Sequence, residues 1–244
     1  MRSGASLGIT ALIWEAVGRA AIFNFLPPLS EVVTAFVDIV RSGRLAMLAV
    51  SLQSLATGFG LALVLGIPLG VLMARSAALR YLVGPYVNLM LSLPTSALVP
   101  VFMIVFGLGA ETRVVVIFVY SFFIIVVNAE AGARGTDPAY LEMARSFGAS
   151  ERDILRRIVL PSALPLLLAG VRVGIGRAVR GMVNGEAIIA VVGIGALVIR
   201  YGRSFQMDYL YAVILVIVGL SLAANGLVQV FERRALRWQS RGSS

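Results

Sequence analysis

The chain has 244 residues, 59% of them hydrophobic and only 14% charged, with a mean hydropathy of +0.93, which excludes a soluble domain and defines an integral membrane protein. Its formal net charge is +9, and every basic residue is arginine. Without lysine it cannot carry the phosphate-binding lysine of a P-loop ATPase. Without cysteine or histidine it has no disulfide, no thiolate or imidazole metal site and no Ser/His or Cys/His nucleophile. The arginines fall in short clusters between apolar runs, a pattern that orients a multi-span protein and argues against nucleic-acid binding.

Leu7 to about Phe25 reads as a first span, with Glu15 and Arg19 at i, i+4, where they can pair. Arg2 and the small residues near Ala20 imitate a signal peptide, but the two charges inside the run and the five later spans favour a retained helix. Pro27-Pro28 ends it. Ser30 is then a candidate cap for an amphipathic helix, Glu31 to Val40, that is too short and too polar to cross a bilayer.

Leu45 to Ala74 predicts a second span, kinked at Pro68, with Gly66 and Gly70 spaced for close helix packing; Arg75 and Arg80 mark its cytoplasmic exit. A third span is expected over about Pro85 to Phe106. Within it Pro94 and Pro100 free backbone carbonyls, so Ser92, Thr95 and Ser96 either line a wet path or bond to their own backbone. Gly107 to Arg113 reads as a tight outer turn, and Val114 to about Ala129 as the fourth span, with Asn128 and Glu130 at its inner end.

The longest strongly polar stretch follows, EMARSFGASERDILRRIVLP, from Glu142 to Pro161. Asp137 is a candidate N-cap with Pro138 at the first helical position, and Gly148 ends that helix. Ser150 with Asp153 suggests a capping box for a second short helix, closed by Leu160-Pro161. Its stripe of Ile154, Leu155, Ile158 and Val159, flanked by Arg152, Arg156 and Arg157, suits either a cytoplasmic ledge that docks a partner or an amphipathic loop in anionic headgroups.

From Ala163 a fifth span carries two pairs of glycines four apart, Gly170 with Gly174 and Gly181 with Gly185, that invite contact with another helix. Arg172 is close enough to the inner end to snorkel. Arg177 and Arg180 must face protein or water, paired with Glu130 or Glu186 or in contact with an anionic solute. Glu186 opens a stretch that runs into an outer loop with Arg200 and Arg203. Asp208 to about Val230 is the sixth span, and ERRALRWQSR the tail. By this topology the inner side holds Arg2, Arg75, Arg80, Arg134, Arg145, Arg152, Arg156, Arg157, Arg233, Arg234, Arg237 and Arg241, and the outer loops only Arg41, Arg44, Arg113, Arg200 and Arg203, which puts both termini in the cytoplasm.

The polar stretch resembles the cytoplasmic loop of ABC-importer permeases, E-A-A, three residues, G, nine residues, I-x-L-P. Glu142, Ala144, Gly148, Ile158, Leu160 and Pro161 match it, and Met143 replaces the first alanine. Further stretches, Leu26-Pro27-Pro28 with Val32, 58–76, 93–109, 170–186 and 232–238, are similar to the branch of nitrate, taurine, aliphatic-sulfonate and bicarbonate importers. That branch also includes transporters of pyrimidine precursors. Against its pattern Arg180 stands where an apolar or aromatic residue is expected, and Asn184 is more polar than usual.

The resemblance implies an all-α membrane protein of about six transmembrane helices with the type I ABC-importer permease fold: a single permease domain, 1–244, with a coupling-helix segment at 132–162. It implies a non-catalytic subunit of the bacterial inner membrane, set in the bilayer beside a second permease copy and served by ATP-binding cassette ATPase subunits and an external solute-binding protein. ATP and Mg would be bound by the ATPase, with no cofactor in this chain. Glu142, held by nearby arginines, Ala144, Gly148, Ile158, Leu160 and Pro161 would couple to the ATPase. Ser92, Thr95, Ser96, Arg177, Arg180 and Glu186 are the candidate path for a small anionic solute. The rival reading is a self-contained carrier or channel that uses Glu130 or Glu186 as its ion site.

Overall fold

The computed structural model describes residues 2–20 and 25–236, all helix and connecting turns. Its helices are α1 (Arg2–Arg19), α2 (Leu29–Arg41), α3 (Ala46–Arg75), α4 (Ala77–Ser92), α5 (Val99–Phe106), α6 (Ala110–Arg134), α7 (Pro138–Ser146), α8 (Glu151–Ile154), α9 (Leu160–Ile189), α10 (Ile194–Arg203) and α11 (Met207–Ala235). The end of the expected first span at 21–24 and the tail beyond 236 lie outside the described residues.

Six spans were expected, and four helices are long and apolar enough to cross a bilayer: Ala46–Arg75, Ala110–Arg134, Glu151–Ile189 and Met207–Ala235. A fifth can be counted if α4 and the Thr95–Phe106 segment form one span, but they are bent by 98° at their junction and are not the single kinked helix predicted. The reason is local. Pro94 forces Leu93 into extended backbone, φ −77° and ψ 140°, and the chain restarts as a 3-10 turn over Thr95–Leu98, with Pro100 in the first turn of α5. Helix α4 also starts earlier than predicted, capped by Ser76, whose hydroxyl accepts from the Leu79 N–H at 3.2 Å, so Pro85 lies inside it.

The contacts divide the chain into two compact units, one built from the segments up to Gln53 and Glu186–Leu220, the other from Ser54–Gly185 and the segment from Ser221 on. In the first unit the Glu15–Arg19 pair forms at 2.6 Å. Glu15 does more than was expected of it: its carboxylate accepts both the Ser30 N–H and the Ser30 hydroxyl at 3.0 Å. Ser30 is therefore not the cap of α2. It lies inside the first turn, and a carboxylate from α1 satisfies one of the N–H groups that turn leaves unpaired. Trp14 donates its indole N–H to the Pro27 carbonyl at 3.1 Å and packs edge-on against Tyr211. Helix α10, in the stretch read as an outer loop, brings Tyr201 to Arg44 at 3.0 Å, while Tyr209 donates to Asp38 at 2.9 Å. The hydrogen bond to Tyr201 raises the pKa of Arg44 above the ordinary arginine value, and the nearby charge of Asp38 acts in the same direction.

The second unit is organised by α6. Lipid gives two apolar helices no hydrophobic reason to associate, so close approach must come from small residues and van der Waals contact. Gly58, Gly66 and Gly70 of α3 meet α6 at Val114 and Ile117, at Ile125 and Phe122, and at Val126 and Ala129. From α9, Gly170, Gly174, Gly181 and Gly185 meet Asn128, Ile125, Tyr120 and Val116 in antiparallel order, as the spacing of four predicts. In α6 itself, Gly132 lies against the Ala163 carbonyl. Large apolar side chains such as Val64, Leu82, Ile104, Leu222 and Phe231 point outward, as lipid-facing positions do.

Gly70→Ala, whose new Cβ would overlap the Val126 backbone, is expected to cost about 1–3 kcal/mol through overpacking. Gly60→Ala, with no atom within 4 Å, is expected to be neutral or to stabilise α3 by up to about 1 kcal/mol. Thermal unfolding of the two variants in detergent checks the contrast.

Candidate functional site

The polar segment is built much as its capping signals predict. Asp137 accepts from the Ala139 N–H at 2.9 Å with Pro138 in the first turn. At the other end of α7 the Ala149 N–H reaches the Ala144 carbonyl at 3.0 Å and the Gly148 N–H reaches Arg145 at 2.9 Å, the two bonds of a Schellman motif. Gly148 supplies its left-handed residue, φ +75°, and its Cα faces open space. Ser150 then caps α8, accepting from the Asp153 N–H at 3.2 Å.

The second short helix does not close at Leu160-Pro161. A π-helical turn over Leu155–Val159 leads directly into α9, so Glu151–Ile189 is one 39-residue helix. Proline inside a helix lacks an N–H and crowds the carbonyl four residues back, and the wider i→i+5 turn before Pro161 accommodates both defects without a break. This helix and α7 rest on a buried apolar cluster of Val71, Ala129, Ala133, Ala144, Ile154, Val159, Ala163 and Leu167, with Leu141, Ile158 and Leu160 packed against it. Ala144, Ile158 and Leu160 thus face the ends of α3, α6 and α9, while Glu142 and Gly148 are exposed and Pro161 is half-buried in the first turn of α9.

The carboxylate expected to hold the segment through arginines was Glu142; in the structure it is Glu151. Arg75, from the end of α3, hydrogen-bonds one Glu151 oxygen, and Arg145 of α7 reaches the other at 3.2 Å. Glu142 has no ion pair among the described residues. The sequence marks Glu151 as an acid in the first turn of a helix, but its partner Arg75 is 76 positions away and left no local signal.

Ser92, Thr95, Ser96, Arg177 and Arg180 are not drawn into one cluster by any hydrogen bond or ion pair among the described residues. Ser92 donates to its own helix at the Asn88 carbonyl, 3.0 Å. Thr95 and Ser96 lie in the 3-10 turn at the bend, half-buried and exposed. Arg177 is half-buried, and exposed Arg180 donates to the Gly176 carbonyl of its own turn at 3.3 Å; neither is paired with Glu130 among the described residues. Glu130 faces Arg134 at 3.7 Å, and Arg172, expected to snorkel, pairs with Glu232 at 3.3 Å. Asn184 donates to the Tyr120 hydroxyl at 3.3 Å.

Glu186, the remaining candidate, sits at the end of α9. It is completely buried, accepting the Ser51 hydroxyl at 2.9 Å and the Gly195 N–H at 3.0 Å, while Ser51 accepts from the Ile194 N–H at 2.9 Å. Gly193, at φ +102°, lies against the same carboxylate, where any Cβ would overlap it. The group therefore clasps the turn between α9 and α10. Arg113, read as an outer-loop residue, is likewise buried, on the first turn of α6, and donates to Ser54 at 3.3 Å.

A helical membrane chain with one polar helix–turn–helix segment, seated on the ends of its longest spans and continuous with one of them, has the build of a transport permease. The chain belongs to the family of binding-protein-dependent transport system inner membrane components, whose profile matches residues 66–237. It is 27% identical over 231 residues to an aliphatic sulfonates transport permease protein, SsuC, of Bacillus subtilis, covering 93% of this chain and 84% of that one. It is 28% identical to the taurine transport system permease protein TauC of Escherichia coli, covering 96% and 88%. In fold it is similar to the MetNI methionine ABC transporter in an inward facing conformation, with a TM-score of 0.67 and 21% identity over 76% of this chain and 93% of that one. The fold is that of type I ABC-importer permeases, and the protein is a multi-pass ABC permease. The self-contained carrier gains no support.

Glu186→Ala is expected to lower stability by about 2–4 kcal/mol, since it leaves a cavity and orphans the Ser51 and Gly195 donors. Glu186→Gln keeps one acceptor oxygen and should retain both fold and transport. Thermal unfolding and uptake of the two variants check this; uptake lost in a fully stable Glu186→Gln chain would return the residue to the path.

Proposed function

We propose that this chain is half of the membrane pathway of an ATP-driven importer for a small anionic solute of the sulfonate, taurine, nitrate or bicarbonate kind. A second permease copy, most simply an identical one, completes the pathway. ATP and Mg belong to a partner ATPase, and an external solute-binding protein delivers the cargo. Both termini face the cytoplasm of a bacterium, whose inner membrane the chain spans. The solute class is supported by the sulfonate and taurine permeases among its relatives and by the two arginines, Arg177 and Arg180, that the fifth span carries at membrane depth.

The observation that carries the mechanism is the continuity of α8, the π-helical turn and α9. Closure of the ATPase dimer draws α7 and α8 inward. Because Ala144, Ile154, Val159 and Ala163 pack as one cluster, and Glu151 ties α7 and α8 to Arg75, the displacement passes into α9 and α3 rather than being absorbed in a loop. Ile158, Leu160 and Pro161 set the base of that lever, Gly148 makes its corner, and Glu142, exposed, is left to meet the partner. The spans then alternate access around a path that includes Arg177 and Arg180, with Ser92, Thr95 and Ser96 at the bend between α4 and α5.

Gly148→Asp tests the coupling assignment. The side chain has open space, so insertion and folding should survive with a strain of about 1–2 kcal/mol at a positive φ, while co-purification with the ATPase is lost; normal co-purification would refute the assignment. Arg177→Ala and Arg180→Ala should alter uptake kinetics without changing assembly. Unchanged uptake in both would assign these arginines to structure.

A further inference from the structure

Between α3, α4 and α6, at the end that carries the polar segment, lies a cavity of about 390 Å³ that the permease reading does not use. Its α4 wall is one helical face, Tyr81, Gly84, Pro85 and Asn88, with Arg80 beside it; Glu130 and Arg134 of α6 form the opposite wall. Gly84 keeps this volume open, since a Cβ there would meet nothing nearer than the Arg80 side chain at 3.9 Å.

The charges do not balance. Glu130 faces Arg134, whereas Arg80, half-buried, has no carboxylate within ion-pair distance among the described residues. A half-buried guanidinium at the edge of a membrane span without a carboxylate partner is held by water alone unless an anion reaches it, and the attraction for an anion is stronger there than in bulk water. Tyr81 and Asn88, both exposed and one turn to either side of Gly84, line the same wall and carry groups able to donate to an anion that enters it. Two guanidinium groups against one carboxylate disfavour a cation, and the volume is that of a small-ligand site.

We propose that this cavity binds an oxyanion, with Arg80 as its principal charge and Tyr81, Asn88 and Arg134 as supporting donors. Two sources present that chemistry at this position: the transported solute, or the headgroup of an anionic phospholipid. The first deepens the importer reading and rests on it; the second does not depend on it.

The test uses the full-length chain in nanodiscs. In phosphatidylcholine discs, ethanesulfonate, nitrate and bicarbonate are titrated in turn by calorimetry. In a second arm, native mass spectrometry counts the phosphatidylglycerol that survives delipidation. Binding in either arm, weakened at least about ten-fold by Arg80→Gln and by Gly84→Leu and largely retained in Arg80→Lys, supports the site, the loss being that of one charge-assisted hydrogen bond. The first arm identifies solute and the second lipid. If Gly84→Leu does not fold, the arginine variants decide alone. No binding in either arm, or binding that Arg80→Gln leaves intact, overturns the site. ATP-driven uptake without such binding overturns the site and keeps the importer; binding without ATP-driven uptake does the reverse.

Discussion

Everything in the second unit depends on how closely two helices, α3 and α9, approach α6. Seven glycines, three from α3 and four from α9, remove the side chains that would hold those helices apart and bring them against the α6 side chains and, at Gly58 and Gly70, against its backbone carbonyls. In a bilayer this contact substitutes for the hydrophobic effect, which supplies no force between helices surrounded by lipid. It also makes the arrangement stiff. Helices separated by glycine and alanine have few rotamers to exchange, so a displacement at one end of α9 has little slack in which to dissipate.

That stiffness gives the polar segment its mechanical meaning. Had Pro161 ended a short helix, α8 would hang from the bundle on a hinge; the π-helical turn instead joins it to α9, and the buried cluster around Ile154 and Val159 fastens the junction. The exposed ion pairs of Glu151 with Arg75 and Arg145 add orientation more than stability, since exposed pairs are worth about 1 kcal/mol or less. In the proposed importer this is the division of labour: apolar packing carries the force, and charges set the angle at which it arrives.

Much of this was legible in the sequence, where local chemistry decides the outcome. Asp137, Gly148 and Ser150 act at the turns they signal, and the glycine spacing of α9 predicted contact with another helix, because caps and small-residue stripes depend on residues within one or two turns. The misses share a different cause. Glu186 gave no sign of its partner Ser51, 135 positions earlier, whose hydroxyl it accepts. Ser30 looked like a cap until Glu15 of another helix took that task. The apolar run through Pro94 hides a 98° bend, because composition reports how much of a segment is apolar and not which way it turns. The six motif positions from Glu142 to Pro161 fall on the polar helix–turn–helix segment, but Glu151, the carboxylate that pairs with Arg75 and Arg145, stands between them.

The central claim is that the polar segment and α9 move as one body. The chain has no cysteine, so Phe147→Cys and Val173→Cys, both at exposed positions, can carry a spin-label pair on an otherwise native background. Electron–electron distances would be measured in the permease–ATPase complex, nucleotide-free and ATP-trapped, with unlabelled chain in excess so that each assembly holds one labelled copy. A rigid lever gives one narrow distance, the same in both states; in a separate, undiluted sample labelled at Phe147→Cys alone, the labels of the two copies approach each other on ATP binding. A Phe147–Val173 distance that shifts or broadens with nucleotide would place a hinge at the π-helical turn and contradict the lever.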